Sequence, residues 1–282
     1  MQADRSPIAT PSLTITEHGG SGPLYFLWAF LAFFLMLSAW SLATPLEAAP
    51  DEPAHTIEAA ALVRGQLDTP LHHTAIGPRA TVYVPAWVAN LNDQATCFLG
   101  RPNVSAGCAG SLSARTTLKP ALTQFSRTPP LYYAVVGLPS LFLSGPDGVY
   151  GMRATGDLLN ALLLALGVYL LLRYHPRPIT LIGVLIALSP MLLFLTSVVS
   201  SSGLEIAAGF ATWCGGLCVL EQQAVPRGLA MWSSTAIVIL VLARPTSPLD
   251  ALIVLLTLAV FMGVRDLRRK APSGLGPILA VA

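Results

Sequence analysis

Long apolar runs set the pattern of this chain. Pro23–Ala43 carries no charge and is about 20 residues long, the length that crosses a hydrocarbon core of roughly 30 Å. Five more such runs follow a mixed region: Tyr150–Leu172, Ile179–Val199, Gly203–Leu220, Leu229–Ala243 and Leu249–Val264. A seventh begins at Leu275 and meets the chain end at Ala282, which reads as a cut through a membrane domain. The pattern predicts an all-α, polytopic bundle of transmembrane helices with one large loop between the first two spans. Pro23–Ala43 is longer than the 7–15-residue core of a signal peptide, and its upstream basic residue, Arg5, is distant, so it reads as an anchor.

The run Pro130–Leu143 (PLYYAVVGLPSLFL) is too short for a span and contains Pro139. Short-loop charge decides its place. If it does not span, Arg173, His175, Arg177, Arg227 and the cluster Arg265, Arg268, Arg269, Lys270 all face the cytoplasm. If it spans, every later loop inverts against the positive-inside rule. The expectation is therefore a cytoplasmic tail (1–22), a first span (23–43) and an external loop with interfacial helices (44–149). Five further spans (150–264) and a basic cytoplasmic loop with the start of the seventh helix (265–282) complete it. The protein is thus expected in the cell membrane, multi-pass, with its amino terminus inside.

Composition narrows the function classes. Of 282 residues 54% are apolar and 11% charged, about half the charge of a soluble domain. The net charge of +2 provides no basic field for nucleic acid. No Gly-rich phosphate loop is present. The expected partner is the lipid bilayer.

The external loop carries the candidate chemistry. Cys97 and Cys108 enclose FLGRPNVSAG, and in an oxidising compartment they are expected to pair as a disulfide. Cys214 and Cys218 sit four apart on one helix face and read as small buried residues. The stretch PDEPAH (Pro50–His55) precedes a helix expected over Thr56–Leu67. Asp51 and Glu52 before Pro53 fit a helix start. They can also supply a general base with a metal or charge partner, held where a span leaves the membrane. Glu52 and His55 have the Glu-x-x-His spacing of di-metal bundles, but no second copy exists here. A divalent metal, if any, would sit on Asp51 and Glu52.

Other polar residues cluster near the same face. Arg127 could hold a lipid phosphate or snorkel to the headgroups, and Tyr132 and Tyr133 suit an interfacial belt. Arg153 calls for a partner, with Asp157 at i+4 the candidate; an acid inside a span is a functional-site hypothesis by default. Glu205 is either a carboxylate facing an external cavity or a helix-start charge. Arg244 could meet a phosphate or an external acid. His72 and His73 lie in a turn-like stretch.

Together PDEPAH, the PPLYY segment, YGMRATGDLLNALLLALG, Ser189-Pro190, SSGLE and ARPTSPL resemble a family of bacterial membrane proteins known only as a domain of unknown function. Its layout is similar to the GT-C class of membrane glycosyltransferases, over roughly residues 24–265. The family's members are generally longer. The resemblance implies transfer of a sugar from a polyprenyl-phosphate carrier to an outer-face acceptor, with inversion. Asp51 would take the place of the carboxylate that acts as base or metal ligand, with Glu52 beside it. Arg127, Arg153 or Arg244 would neutralise the phosphate, and His55, Tyr132 and Glu205 would line the substrate site. The rival readings are a non-catalytic protein of lipid or envelope-polymer transport or assembly, and an inactive fragment.

Overall fold

The structure, a computed structural model, describes residues 22–75 and 77–270, the side chains of 264–270 excepted. The expected tail, the run from Leu275 and the side chains of Arg265, Arg268, Arg269 and Lys270 lie outside the described residues. In chain order come α1 (Gly22–Ala43), α2 (Glu52–Leu62), β1 (His72–Thr74), β2 (Gly77–Pro85), α3 (Ala86–Ala89) and β3 (Leu118–Thr123). Then follow α4 (Leu131–Val136), α5 (Gly145–Tyr174), α6 (Pro178–Ala187), α7 (Pro190–Thr196), α8 (Ser201–Glu221), α9 (Arg227–Val241) and α10 (Ser247–Lys270). The molecule is a helical bundle, as its apolar runs predict, with a small sheet in the loop.

Among the described residues α1, α5 and α8 are long and apolar enough to cross a membrane, and the α6–α7 pair counts as a fourth if taken as one span. The expected span Ile179–Val199 is bent by 64° between its two helices. Ser189 caps α7, its hydroxyl accepting from the Leu192 amide at 3.3 Å, and Pro190 cannot continue the preceding helix. Helix α9 and the apolar part of α10, Ser247–Gly263, are shorter.

The helix ends fix the path. At one end of the bundle the Gln222 amide donates to the Tyr174 carbonyl at 3.3 Å, and Arg177 meets Glu221 at 3.0 Å. At the other end the Ser200 amide, just before α8, donates to the Tyr132 hydroxyl at 2.8 Å, near the start of α5. Helices α5 and α8 therefore run parallel, and the bent α6–α7 pair must return the chain from one end to the other. Arg244, following α9, meets Glu205 in the first turns of α8, so α9 also runs the whole way. Helix α10 then runs back, with Phe261 edge-on to Trp213.

Close packing explains the glycines of α5 and α8. A β-carbon at Gly167 would come within 2.7 Å of the Phe210 ring, so the bare backbone lets the two helices approach. Outward residues such as Leu35, Leu42, Leu185, Ile186 and Val260 are exposed, the disposition lipid requires.

The long loop between α1 and α5 contains an antiparallel sheet of order β1-β2-β3, which sequence reasoning missed. In β2 Ala80, Val82 and Val84 are buried while Arg79, Thr81 and Tyr83 face outward, a period of two that the sequence carries. Tyr83 stands opposite Pro120. His72 and His73, expected in a turn, form the exposed strand β1. The helix expected at Thr56–Leu67 begins and ends earlier, because Gly65, at φ +84°, closes it. Pro130–Leu143 forms α4 and a short 3₁₀ turn at Leu138–Leu141, each far shorter than a membrane-length helix. Cys97 and Cys108 are disulfide-bonded, with Cα atoms 6.1 Å apart, and Cys214 and Cys218 are buried and free.

Candidate functional site

Adjacent acids receive opposite surroundings. Glu52, in the first turn of α2, is fully buried, and both its oxygens accept from Arg153, from Nε and from Nη2, at 2.7 Å each. Its Oε1 also accepts from the Val199 amide at 3.1 Å. The remaining Arg153 donors reach the carbonyls of Ser41 and Thr44 at 2.8 Å and of Pro45 at 3.0 Å. All five guanidinium N–H groups are thus used, and Arg153 has no donor left for a phosphate. The expected Arg153–Asp157 pair is not formed. Arg153 reaches across to α2 because the bidentate fork matches a carboxylate and the end of α1 supplies three carbonyls.

Asp51 is exposed and sits at φ 59°, a left-handed conformation uncommon outside glycine. It occupies the position before α2 without a side-chain cap bond, so helix starting is not what its carboxylate does. Its Oδ1 accepts from Gln124 Nε2 at 3.2 Å, and Gln124 in turn accepts from Arg79. Since Glu52 is turned inward onto Arg153 and Asp51 outward, the two carboxylates do not face one ion. Among the described residues no three His, Cys, Asp or Glu side chains gather as a metal site. The residues present do not fit a metal held by this pair.

The segment after Gln124 links Asp51 to a cleft. Thr123 donates to the Ala54 carbonyl at 3.0 Å and accepts from the Phe125 amide at 3.1 Å. The Phe125 ring stacks on His55 with centroids 3.8 Å apart. Ser126 then bonds to the Thr69 carbonyl at 2.9 Å. These contacts set Arg127 on the rim of a cleft of ≈ 370 Å³, walled by Leu62, Leu67, Pro129, Pro130 and Pro245. Arg127 is largely exposed and lies 3.6 Å from Asp68, which shares the cleft. Next to Pro245, Arg244 donates through Nη1 to Ser202 and Glu205, each at 3.0 Å, and Ser247 also donates to Glu205.

His55 is inside the protein. Its Nδ1 lies 2.7 Å from the Tyr133 hydroxyl, and its Nε2 lies 3.5 Å from Ser200 Oγ. Burial, aided by the positive charge of Arg244, lowers its pKa to about 3, so the ring is neutral at ordinary pH. Tyr132 is buried with its oxygen on the Ser200 amide. His55, Tyr132 and Arg153 thus support the site from behind, while Asp51, Arg127, Arg244 and Glu205 reach solvent to differing degrees.

Sequence reasoning missed Glu47, a buried acid at φ 58° whose oxygens lie 3.4 and 3.5 Å from the Thr56 hydroxyl. Burial pushes its carboxyl well above the usual range, and the Glu52 charge adds to this. Its signal was an acid in the short turn between the first span and PDEPAH, where an exposed position was the simpler reading. Gln124 and Asp68 carried no signal of their own.

A model of the family described as predicted membrane protein (DUF2142) matches residues 33–282. No characterised protein and no solved structure matches the chain.

Proposed function

Taking as premise that the chain belongs to the DUF2142 family of predicted membrane proteins, we propose that it is a membrane glycosyltransferase. It moves a sugar from a polyprenyl-phosphate carrier to an acceptor hydroxyl on the outer face, with inversion. The observation that carries this reading is Asp51: an exposed carboxylate, freed from helix capping and held at the end of a membrane-length helix by the buried pair next to it.

In this reading Asp51 takes the proton of the acceptor hydroxyl as that oxygen bonds to the anomeric carbon. The bond from that carbon to the phosphate oxygen breaks on the opposite face, and the electron pair leaves with the carrier phosphate. Arg127 and the free donors of Arg244 stabilise the charge that develops there. The leucines and prolines of the cleft suit the first isoprene units of the carrier, which is apolar behind its phosphate. Glu52 and Arg153 keep the loop in register and do not touch the reacting atoms.

Asp51→Asn keeps the side chain's shape and removes the base. Transfer from a radiolabelled polyprenyl-phosphate sugar is expected to fall by roughly 10²-fold or more, with the melting temperature unchanged. Full transfer by this variant, or sugar flux across proteoliposomes without a covalent product, would overturn the reading.

A further inference from the structure

The buried face of α5 holds three oxygens with nothing to bond. Both carboxylate oxygens of Asp157 and the amide oxygen of Asn160 have no hydrogen-bond partner. The residues are 1% and 0% exposed. Three positions apart on one helix, they share a face. All three atoms are acceptors, and buried acceptors are seldom left unpaired in folded proteins.

The neighbouring groups are already engaged. Arg153, one turn away, spends every donor on Glu52 and the carbonyls that end α1. The Asn160 amide nitrogen donates to the Thr196 carbonyl at 2.7 Å. The Tyr132 hydroxyl lies over the adjacent Gly156, 3.5 Å from where a β-carbon would stand; its oxygen accepts from the Ser200 amide, and its proton makes no hydrogen bond to Asp157.

A bound cation accepts lone pairs from all three of these oxygens. We propose that Asp157 and Asn160 form a binding site for a small monovalent cation such as sodium, seated between α5 and the chain break before α8. One carboxylate balances one positive charge. A divalent ion fits poorly, since no three acidic, His or Cys side chains meet among the described residues. The bound ion fastens α5 to residues 196–200 at and after the end of α7, where Asn160 and Tyr132 already reach across. Ser200 of that break faces His55, and Ser202 just beyond it holds Arg244, so the ion also steadies the rear of the candidate site.

The test uses the purified chain in detergent, with sodium chloride exchanged for choline chloride at constant ionic strength. The melting temperature is expected to rise saturably with sodium and not with choline. Radiolabelled sodium is expected to bind at one ion per chain. Asp157→Asn is expected to abolish both effects and Asn160→Ala to weaken binding about tenfold. A melting temperature indifferent to the cation with no label bound would overturn the proposal, as a proton or a water then fills the site. Label binding that Asn160→Ala leaves at full strength would overturn it too, and this holds even if Asp157→Asn does not fold.

Discussion

Neighbours in sequence, Asp51 and Glu52 differ because of what each meets. Glu52 turns inward to the Arg153 guanidinium, which is itself anchored on three carbonyls at the end of α1. Removing one partner of a buried pair strands the other's charge and costs about 3–5 kcal/mol. Glu52→Gln and Arg153→Met are each expected to destabilise the protein by that amount in thermal or denaturant melts. Replacing both together is expected to recover only part of the loss. The carbonyls of Ser41, Thr44 and Pro45 would still lack their donor, and full recovery would show that these contacts contribute nothing. The sequence marked both residues as rare and polar, and it marked Arg153 as needing a partner. It pointed to Asp157 because helical spacing is visible in a sequence, whereas a contact spanning 101 positions is not.

Helix α2 carries two buried groups whose titrations oppose each other. Burial raises the Glu58 carboxyl from 4.5 to about 7, against a smaller lowering by its Thr123 hydrogen bond. Between those values the folded state holds a proton that the unfolded chain has released. Stability therefore falls as pH rises through that window and is level above it. His55 does the reverse: unfolded chains take up a proton below 6.5 while the folded ring stays neutral down to about 3, so stability falls as pH drops through that range. Glu58→Gln removes the first slope alone. Its melting temperature is expected to gain on that of the unaltered protein from pH 4.5 to 7, with a constant gap above. Parallel profiles for the two proteins would refute this. At the same scale, elements with long apolar runs were legible. The sheet was not, because Ala80, Val82 and Val84 alternate over a stretch too short to stand out beside six long apolar runs. The bend at Ser189-Pro190 was present as residues, but whether a proline ends or merely tilts a span depends on what packs around it.

For the whole molecule, the two ends of the bundle differ in chemistry. One end bears α2, the sheet, the disulfide and the candidate site; the other bears Arg173, His175, Arg177 and Arg227 at helix ends and in the connections between them. The structure relates the helices to one another, and the positive-inside rule supplies the direction across the membrane. We therefore expect the loop end to face outward. Membrane-impermeant thiol labelling in intact cells tests this, since the native cysteines are either disulfide-bonded or buried. A cysteine at Ser113, exposed in the loop, is expected to label without permeabilisation. One at Gln223, exposed between α8 and α9, is expected to label only after it. The reverse pattern would place Asp51 and Arg127 in the cytoplasm, away from an outer-face acceptor. It would sink the proposed reaction while leaving the fold and the proposed cation site untouched, because both rest on contacts within the bundle.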